Sequence, residues 1–194
     1  ATGLGVKLNQ EITAIGDQHL LAALLLAALC SIVLGMGLPT AASYLMVIFV
    51  AGPAIMELGV EKLPTHLFVF YFAVLSAITP PVALAVFSAA AIAKENPIRL
   101  ALTALRLAAV GFILPIAWIY HPEILLTDNL SALPAALWTV ALLMVGIVSL
   151  SAAIIGYFFG RIGPPARFCL AAGAAAVLAP DPTINIVGAG AALA

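Results

Sequence analysis

Along this chain the apolar positions come in long blocks, and the polar ones are confined to the gaps between blocks. Residues 20–34 are apolar, Gly35-Met36-Gly37-Leu38-Pro39-Thr40 interrupts them, and 41–56 is apolar again. Glu57, Glu61, Lys62 and Pro64 then make a polar connector. The longest block, 66–93, carries Thr79-Pro80-Pro81 in its interior and ends at Lys94-Glu95-Asn96-Pro97. Residues 98–120 open with Arg99 and Arg106 two turns apart on one helical side, which predicts an interfacial helix leading into a span. A loop without Lys or Arg follows at 121–131, and 134–160 is the cleanest apolar block. The basic turn Arg161–Arg167 precedes an Ala/Gly-rich tail interrupted by Pro180-Asp181-Pro182, whose last segment is expected to be short, re-entrant or poorly packed. A helix needs about 20 apolar residues to cross a bilayer core, so blocks of this length predict an all-α integral membrane protein, a polytopic helical bundle.

Composition agrees. Apolar residues make up 65% of the 194 positions and charged residues 8%, with a mean hydropathy of +1.24. Soluble domains carry about 45–50% apolar and about 25% charged residues. A net charge of −1 with scattered basic residues argues against a nucleic-acid partner; the partner environment is the lipid bilayer. Cys30 and Cys169 lie in apolar stretches and are read as inert buried thiols, since no zinc, redox or haem spacing is present. The chain begins without Met, basic n-region or signal-peptide layout, and is read as part of a longer protein.

Basic residues in short loops mark the cytoplasmic side. Lys94, Arg99 and Arg106 cluster at one end of the 107–120 segment, Arg161 and Arg167 mark the next loop but one, and the loop between holds Glu123 and Asp128. One orientation satisfies all three: 94–106 inside, 121–133 outside, 161–167 inside. The 66–93 block then enters from outside, which places the 57–65 connector outside despite Lys62. Charge alone leaves open whether 20–56 is two spans or a re-entrant hairpin.

The two interruptions share a chemistry. Pro80 and Pro81 have no N–H, so the carbonyls of Ser76 and Ala77 lose their helical partners. Thr79, ahead of a proline, is pushed out of the α region. The expected parse ends one half-helix near Ile78 and starts another with Thr79 as N-cap and Pro80 at the first helical position. An unsatisfied polar group in an apolar medium costs roughly 2–7 kcal/mol, so water, another helix or a cation must serve these carbonyls. Acceptors outnumber donors there, which suits a hard cation such as Na⁺. A plain proline kink is the competing explanation.

At the other interruption Gly35 and Gly37 permit unusual backbone geometry, Pro39 stops the preceding helix, and Thr40 is expected to cap an arm starting at Ala41. Ser43 adds a hydroxyl near the same tip. Paired helix breaks near the midplane are how interrupted-helix transporters hold ions and substrate. An ordinary tight turn between two spans is the alternative.

At these residues the chain resembles the large membrane subunit of the tripartite ATP-independent periplasmic (TRAP) transporters, in the form with small and large subunits fused. The resemblance rests on "LGMGLPTAASYLMV", "HLFVFYFAVLSAITPPVALAVFSAAAIA" and "RLALTALRLAAVGFILP", and runs from Gly3 to Leu126. It implies half of an inverted-repeat, elevator-type fold, sodium-driven, importing a small organic acid delivered by a periplasmic substrate-binding protein across the cytoplasmic (inner) membrane of a bacterium or archaeon. It further implies a connector at 1–19, a re-entrant hairpin at 20–58 with its tip at 35–43, and a discontinuous helix at 64–95 broken at 79–81. An interfacial plus a transmembrane helix at 96–126 and extra transmembrane helices at 127–194 complete the layout, with the remainder of the fused permease as partner. Carried onto matching positions, Gly35, Ser76, Thr79 and Val82 are the implied sodium ligands, mostly through backbone oxygens. Gly37, Pro39, Thr40, Ser43, Pro80 and Pro81 are the implied lining. Sodium is the coupling ion; no cofactor, further metal or catalytic residue is implied. Ser76 and Ala83 stand where many large subunits have glycine, so the role of the Ser76 hydroxyl is open.

The remaining polar residues read as scaffold. His66 is assigned to the membrane interface or a cap, His19 and His121 to solvated segment ends, Glu57 and Glu61 to a wet face, Arg106 to snorkelling, and Asp181 to a turn. An intramembrane enzyme would need a nucleophile–base pair or metal ligands at depth, and no such cluster or spacing stands in the sequence. A non-catalytic structural or assembly subunit is the alternative to transport.

Overall fold

A computed structural model of the chain describes residues 3–16, 19–125, 133–158 and 160–177, together with residues 185, 188 and 190. Asp128 and Pro180-Asp181-Pro182, assigned above to a loop and a turn, lie outside the described residues. Among the described residues the structure is helical, with a single isolated bridge between Tyr157 and Arg161. The chain divides into two compact units, Ala1–Ala108 and Ala109–Ala194.

The first unit holds α1 (Leu4–Gly16), α2 (Leu20–Gly35), α3 (Thr40–Glu57), α4 (Lys62–Leu75), α5 (Leu84–Ala93) and α6 (Pro97–Ala108). Helix α2 shows how an apolar sequence sorts its faces without polar contrast. Leu21, Leu25, Leu29 and Val33, four residues apart, are exposed. Ala23, Ala27, Ser31 and Gly35, also four apart, are buried. Lipid is as apolar as leucine, so helices associate in a bilayer through small residues that let backbones approach. This strip lets α2 pack on α1, α3 and α4. Ser31 hides its hydroxyl on the Ala27 carbonyl at 2.6 Å.

Helix α6 begins where Asn96 turns its Oδ1 back to accept the N–H groups of Ile98 and Arg99 at 3.0 and 3.1 Å. Pro97 follows as the first helical residue, where its missing N–H costs nothing. Helices α5 and α6 pack through Val86 and Ala101, with Ala83 in the same buried cluster. Arg99 and Arg106 are both exposed.

The second unit holds a 3-10 turn (Ala109–Phe112), α7 (Leu114–Tyr120), a second 3-10 turn (Pro122–Leu125), α8 (Leu133–Ile155) and α9 (Pro164–Val177). Helices α8 and α9 pack together. Arg167 caps the end of α8, donating Nε to the Ala153 carbonyl at 2.7 Å and Nη2 to that of Ile154 at 3.0 Å. Two sequence readings are corrected here. Cys169 is exposed on α9 rather than buried. His121 is buried at 8% exposure rather than solvated, because Glu123 in the following turn takes up its ring N–H. His19 is exposed, as expected.

Among the described residues three helical stretches are long and apolar enough to cross a membrane: Thr40–Glu57, Pro97–Tyr120 and Leu133–Ile155. Large apolar side chains such as Phe49, Ile92, Leu107 and Phe168 are exposed, as expected where lipid is the solvent. The chain is a helical, multi-pass membrane protein.

The Asn96 cap has a measurable weight. Asn96→Ala removes the acceptor for two N–H groups and is expected to destabilise the protein by about 1 kcal/mol, whereas Asn96→Asp retains most of it. Thermal melting of both variants in detergent micelles checks this.

Candidate functional site

Helix α2 ends at Gly35, and the chain turns through Met36, Gly37, Leu38 and Pro39 into α3. Gly37 takes φ +80, a conformation open to glycine at little cost. Two expectations for this turn are refined. Thr40 is the first residue of α3 and Pro39 holds the N-cap position, with no side-chain cap. The Ser43 N–H bonds the Pro39 carbonyl at 3.0 Å.

The second break is wider than the proline pair. Helix α4 stops at Leu75, and α5 starts at Leu84 after Ala83, which sits in the left-handed region at φ +37, ψ +51. The Pro80–Pro81 peptide is cis. Thr79 is not an N-cap: its hydroxyl donates back to the Leu75 carbonyl at 2.8 Å. Likewise the Ser76 hydroxyl donates to the Ala73 carbonyl at 2.7 Å. The carbonyls expected to be freed are partnered. The Ser76 carbonyl accepts from Thr79 N–H at 3.3 Å, and that of Ala77 accepts from Ala85 N–H at 3.1 Å, across the break. Proline removed the local donor, and the chain bends far enough for a donor eight residues on to replace it. The carbonyls of Ile78, Pro80 and Val82 receive no backbone N–H among the described residues.

The two breaks touch. A Cβ added to Gly35 would collide with Ser43 Oγ and lie 2.7 Å from Ser76 Oγ and 3.0 Å from Ser76 Cβ. Glycine is required there because α2, the first turn of α3 and the end of α4 converge on that one point. A Cβ on Gly37 would meet Val82 Cγ1 at 3.8 Å, so the tip also abuts the chain just before α5. Gly35, Ser43 and Ser76 are buried, Thr79, Pro80 and Val82 half-buried. Pro39, Thr40 and Pro81 are exposed. Ser43 Oγ is buried without a hydrogen-bond partner among the described residues.

One residue pair escaped sequence reasoning. Tyr44, next to Ser43, places its hydroxyl 2.7 Å from His66 Nδ1 on α4, and its ring stacks edge-on against Phe70. His66 thus ties α4 to α3 rather than capping a helix. The signal was one aromatic beside the tip and one imidazole in an apolar block, but their separation of 22 positions exceeds any local spacing rule.

Apolar helices interrupted at two adjoining points define a polytopic membrane protein with a polar point inside it. The family model of the tripartite ATP-independent periplasmic transporter, DctM component, matches residues 1–124, and the chain belongs to that family, a transporter permease. No curated protein and no solved structure gives a match.

The convergence at Gly35 predicts a coupled response. Gly35→Ala is expected to destabilise the protein by about 1–3 kcal/mol through overpacking. Ser43→Ala and Ser76→Gly, each combined with it, are expected to recover part of that loss. A double-mutant cycle read by thermal melting checks the coupling; strict additivity would contradict the contact.

Proposed function

We propose that this chain is the C-terminal part of the permease of a sodium-coupled secondary transporter that imports a small organic acid delivered by a periplasmic substrate-binding protein. The permease would sit in the cytoplasmic membrane of a bacterium or archaeon, with residues 20–58 as a re-entrant hairpin and the rest of the permease as partner. The observation that carries this reading is the meeting of the two breaks at Gly35, Ser43 and Ser76 around an unpartnered buried hydroxyl.

Helix direction supports it. The C-terminal ends of α2 and α4 both arrive at this point, and each carries about half a negative charge on its last carbonyls. A hard cation takes oxygen ligands, and oxygens are what the site offers. The carbonyls of Gly35 and Ser76 each hold only one long bond, 3.3 Å, leaving a lone pair open, and that of Val82 is open entirely. Ser43 Oγ adds a hydroxyl to the set implied by the family resemblance. The Thr79 and Ser76 hydroxyl protons point into their own helix, which leaves their oxygen lone pairs free to accept or coordinate.

The N-terminal ends of α3 and α5 start beside the same point, at Thr40 and Leu84. Their partial positive charge favours a carboxylate, the shared group of organic acids.

Sodium-gradient-driven uptake by the intact permease with its binding protein, in proteoliposomes, tests the reading. Gly35→Leu with Thr79→Val is expected to abolish uptake, and Ser43→Ala to raise half-saturating sodium by about tenfold through loss of one ligand. Sodium coupling unchanged in the double variant would sink the site assignment.

A further inference from the structure

The second unit contains a polar cluster that transport at the paired breaks does not use. His121, Glu123, Thr139 and Asn185 line a cavity of about 310 Å³, walled on its apolar sides by Tyr120, Trp138 and Leu142. The polar groups are ordered by one carboxylate oxygen. Glu123 Oε1 accepts from the Thr139 hydroxyl at 3.1 Å and stands 3.2 Å from His121 Nδ1.

A carboxylate only accepts, so the Nδ1 position carries the proton; in the neutral ring Nε2 then keeps its lone pair. His121 Nε2 is buried and has no partner among the described residues. Asn185 Oδ1, on a residue 5% exposed, is likewise buried and has no partner among the described residues. Such groups are costly to leave bare, so two of them on one cavity point to an occupant rather than to packing.

The lining selects the chemistry of that occupant. Glu123 Oε2, His121 Nε2 and Asn185 Oδ1 are all acceptors, and Glu123 brings a negative charge. A protonated primary amine presents three N–H donors and one positive charge. Tyr120 and Trp138 supply aromatic faces, which attract organic cations. A metal ion fits less well, because among the described residues no three His, Cys, Asp or Glu side chains gather to hold one. The volume lies at the small end of the range for organic ligands, enough for an amine with a short carbon chain.

We propose that this cavity binds a primary ammonium group, held by Glu123, His121 and Asn185 between Tyr120 and Trp138. The amine arrives either free in solution or as the headgroup of an aminophospholipid, since Tyr120 ends the apolar stretch Pro97–Tyr120 and aromatic residues favour the membrane–water boundary.

The protein purified in detergent is titrated with ethanolammonium and, separately, with tetramethylammonium, which has the charge but no N–H. In parallel, bound lipid is counted by native mass spectrometry after release from phosphatidylethanolamine or phosphatidylcholine nanodiscs. The expected result is that the primary amine binds saturably and at least about tenfold tighter than its quaternary counterpart, in one or both formats. Ethanolammonium binding alone assigns the site to a soluble amine, and retained phosphatidylethanolamine alone assigns it to the headgroup; either supports the proposal. Glu123→Gln and, as a milder change, Asn185→Ala are each expected to weaken the preferred binding by about tenfold. The proposal is overturned if primary and quaternary forms bind alike or not at all. It is equally overturned if binding is unaltered in whichever variants retain the wild-type melting profile.

Discussion

In a hydrocarbon medium every backbone N–H and C=O must find a partner inside the protein, and that demand is hardest to meet where the helices of this chain stop. Two interruptions fall in apolar blocks, at 36–39 and 76–83. Each is closed mostly by its own neighbourhood. Short-range turns over Ala77, Ile78 and Thr79 keep three N–H groups bonded three residues back, and the Ala85 N–H crosses the break to the Ala77 carbonyl. The Ser76 and Thr79 hydroxyls turn onto the Ala73 and Leu75 carbonyls and so add donors at the end of α4. A few acceptors remain over. That small surplus adjoins a buried Ser43 hydroxyl that has no partner among the described residues.

The surplus matters because the interruptions are adjacent, and adjacency is a matter of side-chain size. The buried strip Ala23, Ala27, Ser31, Gly35 brings α2 close to its neighbours along its whole length. At its end the approach is so close that Ser43 and Ser76 oxygens occupy the space a methyl group would need. Ser76 stands where glycine is common in the resembling family, and its hydroxyl is part of this contact. The departure therefore enlarges the polar content of the junction instead of lying idle at a surface. Ala83, the other departure, holds a left-handed backbone while its methyl packs with Val86 and Ala101. Burial of that methyl offsets part of the roughly 1–2 kcal/mol that such a conformation costs an L-residue.

Polar residues elsewhere follow the same economy. Tyr44 and His66 satisfy each other between α3 and α4, and Arg167 serves the terminal carbonyls of α8. His121, Glu123 and Thr139 form a chain that ends in an open imidazole nitrogen. Buried polar groups are paired within their own helix, as Ser31 is, or across elements, as Tyr44 and His66 are.

Features that act within a turn or two of helix follow from the residues alone. Apolar block length set the helical membrane class, Gly35 to Pro39 and Thr79-Pro80-Pro81 set the positions of both breaks, and Asn96-Pro97 set the start of α6. These are covalent facts: proline lacks its N–H wherever it is placed, and glycine lacks its Cβ. The partners were chosen by packing in three dimensions. That Ala77 would accept from Ala85, that Thr79 would turn back rather than cap, that Ser43 and Ser76 would close on Gly35, and that His121 would be buried all depend on where one element crosses another. Helix crossing is set by the summed packing of many small contacts, none visible in local spacing. The positions of the breaks were therefore legible in the residues, while the bonds that close them were not.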